Sequence, residues 1–312
     1  MMPEPAYLKT FREGELTTRV EEALKRMEAC DLCPRECGVN RMKGETGFCE
    51  TGRRAKVASY SAHFGEEDPL VGQYGSGTIF ISSCNLLCSF CQNYEISHQK
   101  EGLEVEPAQM AEMMVHLADR GCHNINFVTP SHVVPQLLEA LACAVEMGLK
   151  VPLVYNTGGY DKPDTLRMLD GLFDIYMPDF KFWEEKWADR YCGAPNYRDV
   201  VINAVKEMHR QVGDLVMDEQ GVAVRGLLVR HLVMPGDVSG TEKIMDFLVK
   251  EVSVNTYVNV MDQYRPCGKA HKDAFVNRRL RPEEFRRAMD AAIRAGLKRI
   301  DSRDRVRLLF KL

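Results

Sequence analysis

The stretch that most constrains this chain is Thr78-Ile79-Phe80-Ile81-Ser82-Ser83-Cys84-Asn85-Leu86-Leu87-Cys88-Ser89-Phe90-Cys91-Gln92-Asn93. Its first half is a short apolar run rich in β-branched and aromatic residues, which reads as a buried strand. Its second half delivers three cysteines within eight residues of loop, spaced Cys-x3-Cys-x2-Cys. Iron-sulfur clusters are held by thiolates, usually four of them. A loop supplying three therefore predicts a cluster with one iron left open to a small molecule. Two other readings fit the same residues: core cysteines, since free Cys is often buried, and a zinc knuckle completed by a distant ligand.

Beyond this strand, apolar runs recur at 124–128, 151–155, 173–177, 226–233 and 257–261, with helical patterns between them around 106–120, 133–148, 162–170, 196–211 and 240–252. That alternation is the signature of a parallel sheet with crossover helices. Counting the strand at 78–83, six such units predict an α/β fold, a partial (β/α)6 TIM-type barrel. A last helix is expected at 282–295 and a terminal strand at 305–312. Residues 1–77 read as a small cysteine-rich appendage and 78–312 as the barrel domain. Within the appendage the spacing of Val20, Leu24 and Met27 predicts a helix over 15–29, capped by Thr17 or Thr18. Lys56 to Tyr60 reads as a short strand, followed by a loop rich in glycine and charge.

The chain has 312 residues and eleven cysteines. Seven of these fall in two tight clusters of metal-ligand type, which fits a reducing compartment better than a disulfide framework. The first cluster is Cys30, Cys33, Cys37 and Cys49, which can wrap one ion with glycines and a proline allowing tight turns. A four-cysteine zinc site and an auxiliary iron-sulfur cluster both satisfy that pattern. Cys122 and Cys143 are expected to pack as small residues, while Cys192 and Cys267 lie beside glycines and stay open. The amino terminus lacks the basic-then-apolar pattern of a secretory signal, and no run approaches the roughly 18 apolar residues of a membrane span. A cytoplasmic protein without a membrane partner is expected. A formal charge of −4 argues against nucleic acid as a main partner, and the basic run Arg278-Arg279-Leu280-Arg281 reads as solvated surface.

Cys84, Cys88 and Cys91, with the aromatic Phe90 before the last cysteine, resemble the signature of the radical S-adenosylmethionine (SAM) superfamily. The continuation Cys91-Gln92-Asn93 resembles the glycyl-radical-enzyme activases, of pyruvate formate-lyase activating type, and their relatives. The resemblance implies a 4Fe-4S cluster on the three cysteines, with SAM chelated to the open iron. It also implies reductive cleavage of SAM to a 5′-deoxyadenosyl radical that abstracts a hydrogen atom, in activases from a glycine of a protein partner. An electron donor of flavodoxin or ferredoxin type, and a protein or peptide substrate, follow as partners.

Parallel barrels carry reactive residues where strands end. The second strand ends in Thr129-Pro130-Ser131-His132, where the superfamily carries an acidic segment that binds the SAM amino group; here the Thr129 and Ser131 hydroxyls and backbone carbonyls are the available acceptors. His132 reads as a proton carrier or as an anchor for the next helix. The third strand runs into Asn156-Thr157-Gly158-Gly159. The fourth runs into Asp179-Phe180-Lys181, which resembles the Asp-x-Lys segment that activases use beside the SAM carboxylate. A structural ion pair is the other reading of these two residues. The fifth, Val229-Arg230-His231-Leu232-Val233-Met234-Pro235-Gly236, resembles the activases' SAM-facing strand and would aim Arg230 inward and His231 outward. Asn259 and Met261, on one face of the sixth, suit an adenosine pocket. Phe90 and Asn93 complete the expected cofactor contacts. The competing hypothesis from another class is a non-catalytic iron-sulfur relay or scaffold, whose cluster would be saturated by four protein ligands.

Overall fold

The computed structural model describes residues 3–301, so the terminal strand expected at 305–312 lies outside the described residues. From the amino end, α1 (Ala6–Arg12) and α2 (Glu15–Lys25) lead to β1 (Ala55–His63), α3 (Asp68–Val71), β2 (Ser76–Ile81), α4 (Tyr94–Ser97) and β3 (Leu103–Val105). There follow α5 (Pro107–Asp119), β4 (Ile125–Val128), α6 (Val134–Glu146), β5 (Leu153–Thr157), α7 (Pro163–Met168) and β6 (Ile175–Pro178). The last part holds α8 (Glu185–Cys192), α9 (Tyr197–Val212), β7 (Val216–Met217), β8 (Ala223–Leu232), α10 (Thr241–Phe247), β9 (Tyr257–Met261), α11 (Pro282–Ala295) and β10 (Arg299–Ile300).

The six predicted strands are β2, β4, β5, β6, β8 and β9, each parallel to the next in that order. This is the expected partial barrel of α/β type. Its strands read as continuous apolar runs because crossover helices cover one face and the barrel interior the other; β5 is buried at every position. β10 extends the parallel run beyond β9. On the other edge β1 pairs antiparallel with β2, and β3 with β1, so the sheet continues into the first 77 residues.

Two local expectations change. Thr17 and Thr18 do not cap α2: Gly14, at φ 77°, separates α1 from α2, and the helix starts at Glu15 and stops at Lys25. Only glycine adopts that left-handed conformation without steric cost. Residues 240–252 form α10 followed by a π-helical turn over Leu248–Val252 rather than one regular helix.

The barrel interior is layered. Leu70, from α3 in the glycine-rich loop, packs with Val154, Ile175, Met177, Leu215, Ala223 and Leu228 as an apolar plug. Above it lies a charged and polar layer of Glu66, Glu67, Asn126, Asp179, Arg230 and Asn259, and the strand ends open above that. Gly226 of β8 makes this packing possible, because a Cβ there would lie 2.4 Å from the Asp214 carbonyl oxygen. At the opposite end α1 is tied to the strand starts, with Ala6 N donating to Asp174 Oδ1 at 2.8 Å and Tyr7 OH to the Val151 carbonyl at 3.0 Å.

Candidate active site

Beyond the end of β2 the chain turns through Ser83 (φ 71°) and Leu87 (φ 50°), two non-glycine residues in the left-handed region. Such positions cost about 1–3 kcal/mol each and persist only where their surroundings enforce them. Here they curl the loop so that Cys84, Cys88 and Cys91 open into one cavity of about 230 Å³. Donors already face the sulfurs: Leu86 N lies 3.3 Å from Cys84 Sγ, and the Ser97 hydroxyl 3.2 Å from Cys91 Sγ. Burial pushes the Cys84 thiol up to about 12 and raises Cys91 as well. Bound iron reverses that preference, since metal binding deprotonates coordinating thiols. Three converging sulfurs, N–H and O–H donors aimed at two of them, and adjacent free volume fit an iron-sulfur cluster held by three protein ligands.

The cavity wall collects most of the residues singled out in the sequence. Phe90 packs against Phe182, Tyr191 and Tyr264 with ring centroids 5.9, 6.1 and 6.2 Å away, which fixes the loop between Cys88 and Cys91. Asn93, Thr129, Asn156 and Met261 line the same space. Thr129 sits at φ 65°, its N–H donating to the Asn156 carbonyl at 2.8 Å.

Asp179, Lys181 and Arg230 also line it, as a linked set. Arg230 Nε donates to Asp179 Oδ1 at 2.7 Å and Nη2 to Asn156 Oδ1 at 2.7 Å, while Lys181 Nζ pairs with the other Asp179 oxygen. Burial works against all three charges, but the mutual attraction wins: Asp179 is held below the usual carboxylate range and Lys181 and Arg230 are raised. The charge on Arg230 is thus balanced within the protein, and its burial needs no ligand carboxylate to explain it. A ligand would meet an assembled ion-pair array.

Ser131 goes elsewhere. Its hydroxyl lies 3.0 Å from Thr157 Oγ1 in a buried network with Asp161 and Tyr155; Thr157 lines the cavity, and Ser131 stands one hydrogen bond behind it. His132 acts as an anchor: Nε2 meets the Ser82 carbonyl at 2.9 Å, and burial lowers its pKa to about 4, so it is neutral at physiological pH. His231 faces the opposite side of β8, bonded to the Phe180 carbonyl and Thr241. Cys122 and Cys143 pack in or against the core. In the basic run, Arg278 is not free surface charge but pairs with Glu284 in the first turn of α11.

Three groups lay beyond sequence reasoning. Glu66 and Glu67 come from the loop before α3 and are buried, Glu66 Oε2 lying 3.6 Å from Arg230 and Glu67 accepting from Asn259 at 3.0 Å. Charges in a glycine-rich loop read as solvated, and no local pattern marks them as interior. Cys192, 104 residues from Cys88, ends α8 with its Sγ 3.3 Å from Cys88 Sγ. Its place beside a glycine leaves it open in the sequence, and nothing local names Cys88 as its neighbour. Cys30, Cys33, Cys37 and Cys49 gather around a separate, much smaller cavity. Among the described residues no helix is long and apolar enough to cross a membrane.

The chain is 35% identical over 301 residues to the uncharacterized protein MJ0674 of Methanocaldococcus jannaschii, covering 93% of this chain and 82% of that protein. It is 24% identical over 157 residues to the uncharacterized protein MJ0808 of the same organism, covering 45% and 46%. A solved structure of TYW1 with a lysine-pyruvate adduct bound is similar at a TM-score of 0.44 and 12% identity, over 71% of this chain and 74% of that one. Residues 78–248, from β2 through the start of the turn after α10, match the Radical SAM superfamily. The chain belongs to the radical SAM superfamily.

Proposed function

We propose that Cys84, Cys88 and Cys91 hold a 4Fe-4S cluster, that the adjoining cavity holds SAM, and that a hydrogen atom is taken from a substrate at the cavity mouth. The observation that carries this reading is the convergence of the three thiols on the same cavity as the Asp179, Lys181 and Arg230 charges, in a chain of this superfamily. When bound, the cluster supplies one electron for cleavage of the SAM sulfonium, and the adenosyl fragment so released accepts the hydrogen atom. The protein's own residues bind and orient. Lys181 and Arg230 offer cationic charge to a ligand carboxylate, with Asp179 fixing both. The Thr129 hydroxyl and Asn156 side-chain oxygen can accept from an ammonium, and Leu86, Leu232 and Met261 supply an apolar wall for a nucleobase.

The substrate we favour is a glycine of a protein partner, as in the activases, with a flavodoxin- or ferredoxin-like protein delivering the electron. Support comes from Cys91-Gln92-Asn93, Asp179-x-Lys181 and the Val229-Arg230 strand, all contributing to one wall. One observation favours a second, non-catalytic reading: Cys192 lies close enough to Cys88 to offer a fourth thiol. A single experiment separates the two. Anaerobically reconstituted, reduced protein given SAM is expected to release 5′-deoxyadenosine, and the Cys88→Ala variant none. An intact, reducible cluster that yields no 5′-deoxyadenosine overturns the enzymatic reading.

A further inference from the structure

We infer that Cys30, Cys33, Cys37 and Cys49 hold a single zinc-class ion, which locks the turn that starts the Cys84 loop. The backbone is shaped around these sulfurs. Cys30 N donates to the Val39 carbonyl and Gly38 N to the Cys30 carbonyl at 2.9 and 3.0 Å, while Glu36 (φ 42°) and Gly38 (φ 66°) turn left-handed on both sides of Cys37. The strand of chain carrying Cys49 passes so close that a Cβ on Gly47 would lie 2.6 Å from Cys37 Cβ and Sγ. Phe48 N already faces Cys37 Sγ at 3.3 Å.

Size favours a single ion. The four cysteines line a cavity of about 10 Å³, room for roughly one water-sized sphere. With the thiols where they stand, that is nearer the size of one ion than of a cubane cluster, in contrast to the space beside Cys84, Cys88 and Cys91. Among the described residues no three His, Cys, Asp or Glu side chains are already drawn into one ion's coordination sphere, so closure needs rotation of the thiols about their Cα–Cβ bonds, within a backbone already in place.

Charge agrees. Four thiolates around a divalent ion leave two negative charges in a partly buried place, and two guanidinium groups line the same cavity. Arg41 is 1% exposed and bonds to the Gly52 and His132 carbonyls, with Cys30 Sγ 3.9 Å away. Arg35 lies over the Phe48 ring at 3.8 Å and donates to the Asn85 and Cys192 carbonyls. Neither arginine has a carboxylate partner among the ion pairs of the described residues, and for the buried Arg41 an unpaired charge is costly. Through Arg35 and Asn85 the centre is tied directly to the residue after Cys84.

The test uses the full chain with Cys84→Ala, Cys88→Ala and Cys91→Ala together. Metal and acid-labile sulfide analysis is expected to find about one equivalent of zinc and no sulfide, and adding Cys37→Ser to lower the zinc content at least about fivefold. Iron with sulfide in the triple variant overturns the inference, as does metal-free protein whose four amino-terminal thiols all react with a thiol reagent. Should the triple variant fail to fold, zinc-edge X-ray absorption on the wild-type protein replaces it: a shell of four sulfurs near ~2.3 Å supports the assignment, and any other zinc environment, or no zinc, refutes it.

Discussion

Glu66 makes the charged layer under the cavity sensitive to pH in a way that can be measured. Burial is the main influence on it; Arg230 opposes, and Glu67 and Asp179 add to the burial, so the carboxyl rises from its ordinary 4.5 to about 7. The unfolded chain loses this proton near pH 4.5 and the native state near pH 7. Between those values the native state binds more protons, so stability falls as pH rises through the window and is level above it. At about 1.4 kcal/mol per unit, the full cost is about 3 kcal/mol, of which about 2 kcal/mol develops between pH 5 and pH 8. Glu66→Gln keeps the shape and carries no charge. It is expected to be close to wild type in stability at pH 5 and more stable by about 2–3 kcal/mol at pH 8. Denaturant unfolding of both proteins in one metal state, followed by the fluorescence of Trp183 and Trp187, provides the comparison, and using the difference cancels every other titrating group. A difference that stays constant from pH 5 to pH 8 would refute the reasoning, since it would mean that Arg230 keeps Glu66 ionised in the native state throughout.

Other outcomes follow from the same geometry. Asp179→Asn removes the partner of both Lys181 and Arg230, and loss of one member of a buried charge set costs about 3–5 kcal/mol; a thermal melt unchanged within a degree would contradict the pairing. Cys192→Ala deletes a weak S–H donor to Cys88; at ~1 kcal/mol for the bond the cluster midpoint should move about 40 mV more negative in a one-electron titration, and an unmoved potential would show that Cys192 does not act on Cys88. Gly226→Ala forces a Cβ to 2.4 Å from backbone atoms at φ 122°; a loss of about 3 kcal/mol or failure to accumulate as folded protein is expected, and wild-type stability would argue against the described packing of β8.

The six parallel strands were legible because burial on both faces leaves a continuous apolar run, a one-dimensional signal. So were the cysteine loop and the strand-end residues Thr129, Asn156, Asp179 and Met261, because strand ends in a parallel barrel share one face. What escaped depends on distance along the chain. α8 is short and charged, and its place is set by a narrow buried stripe of Ala188, Tyr191 and Cys192, with Tyr191 against Phe90 and Phe182 and Trp187 stacked on Phe275. Cys192 acquires a meaning only when α8 brings it to Cys88. Ser131, two residues after Thr129, turns to Thr157 because Thr129 at φ 65° breaks the alternation that would put both side chains on one face. Glu66, Glu67 and Leu70 lie in what reads as a connecting loop rich in glycine and charge, and nothing local tells a loop that it will fill a barrel.

The apolar plug has a kinetic meaning. Leu70, Val154, Ile175, Met177 and Leu228 are fully buried, so the barrel is stoppered on the side of the strand starts and traffic passes through the strand-end mouth. A molecule resting on Asp179 and Arg230 would then have to enter and leave past the cysteine loop, since both residues line the same cavity as Cys84, Cys88 and Cys91. The plug is thus a fixed floor, and the strand-end mouth is where exchange with solvent takes place.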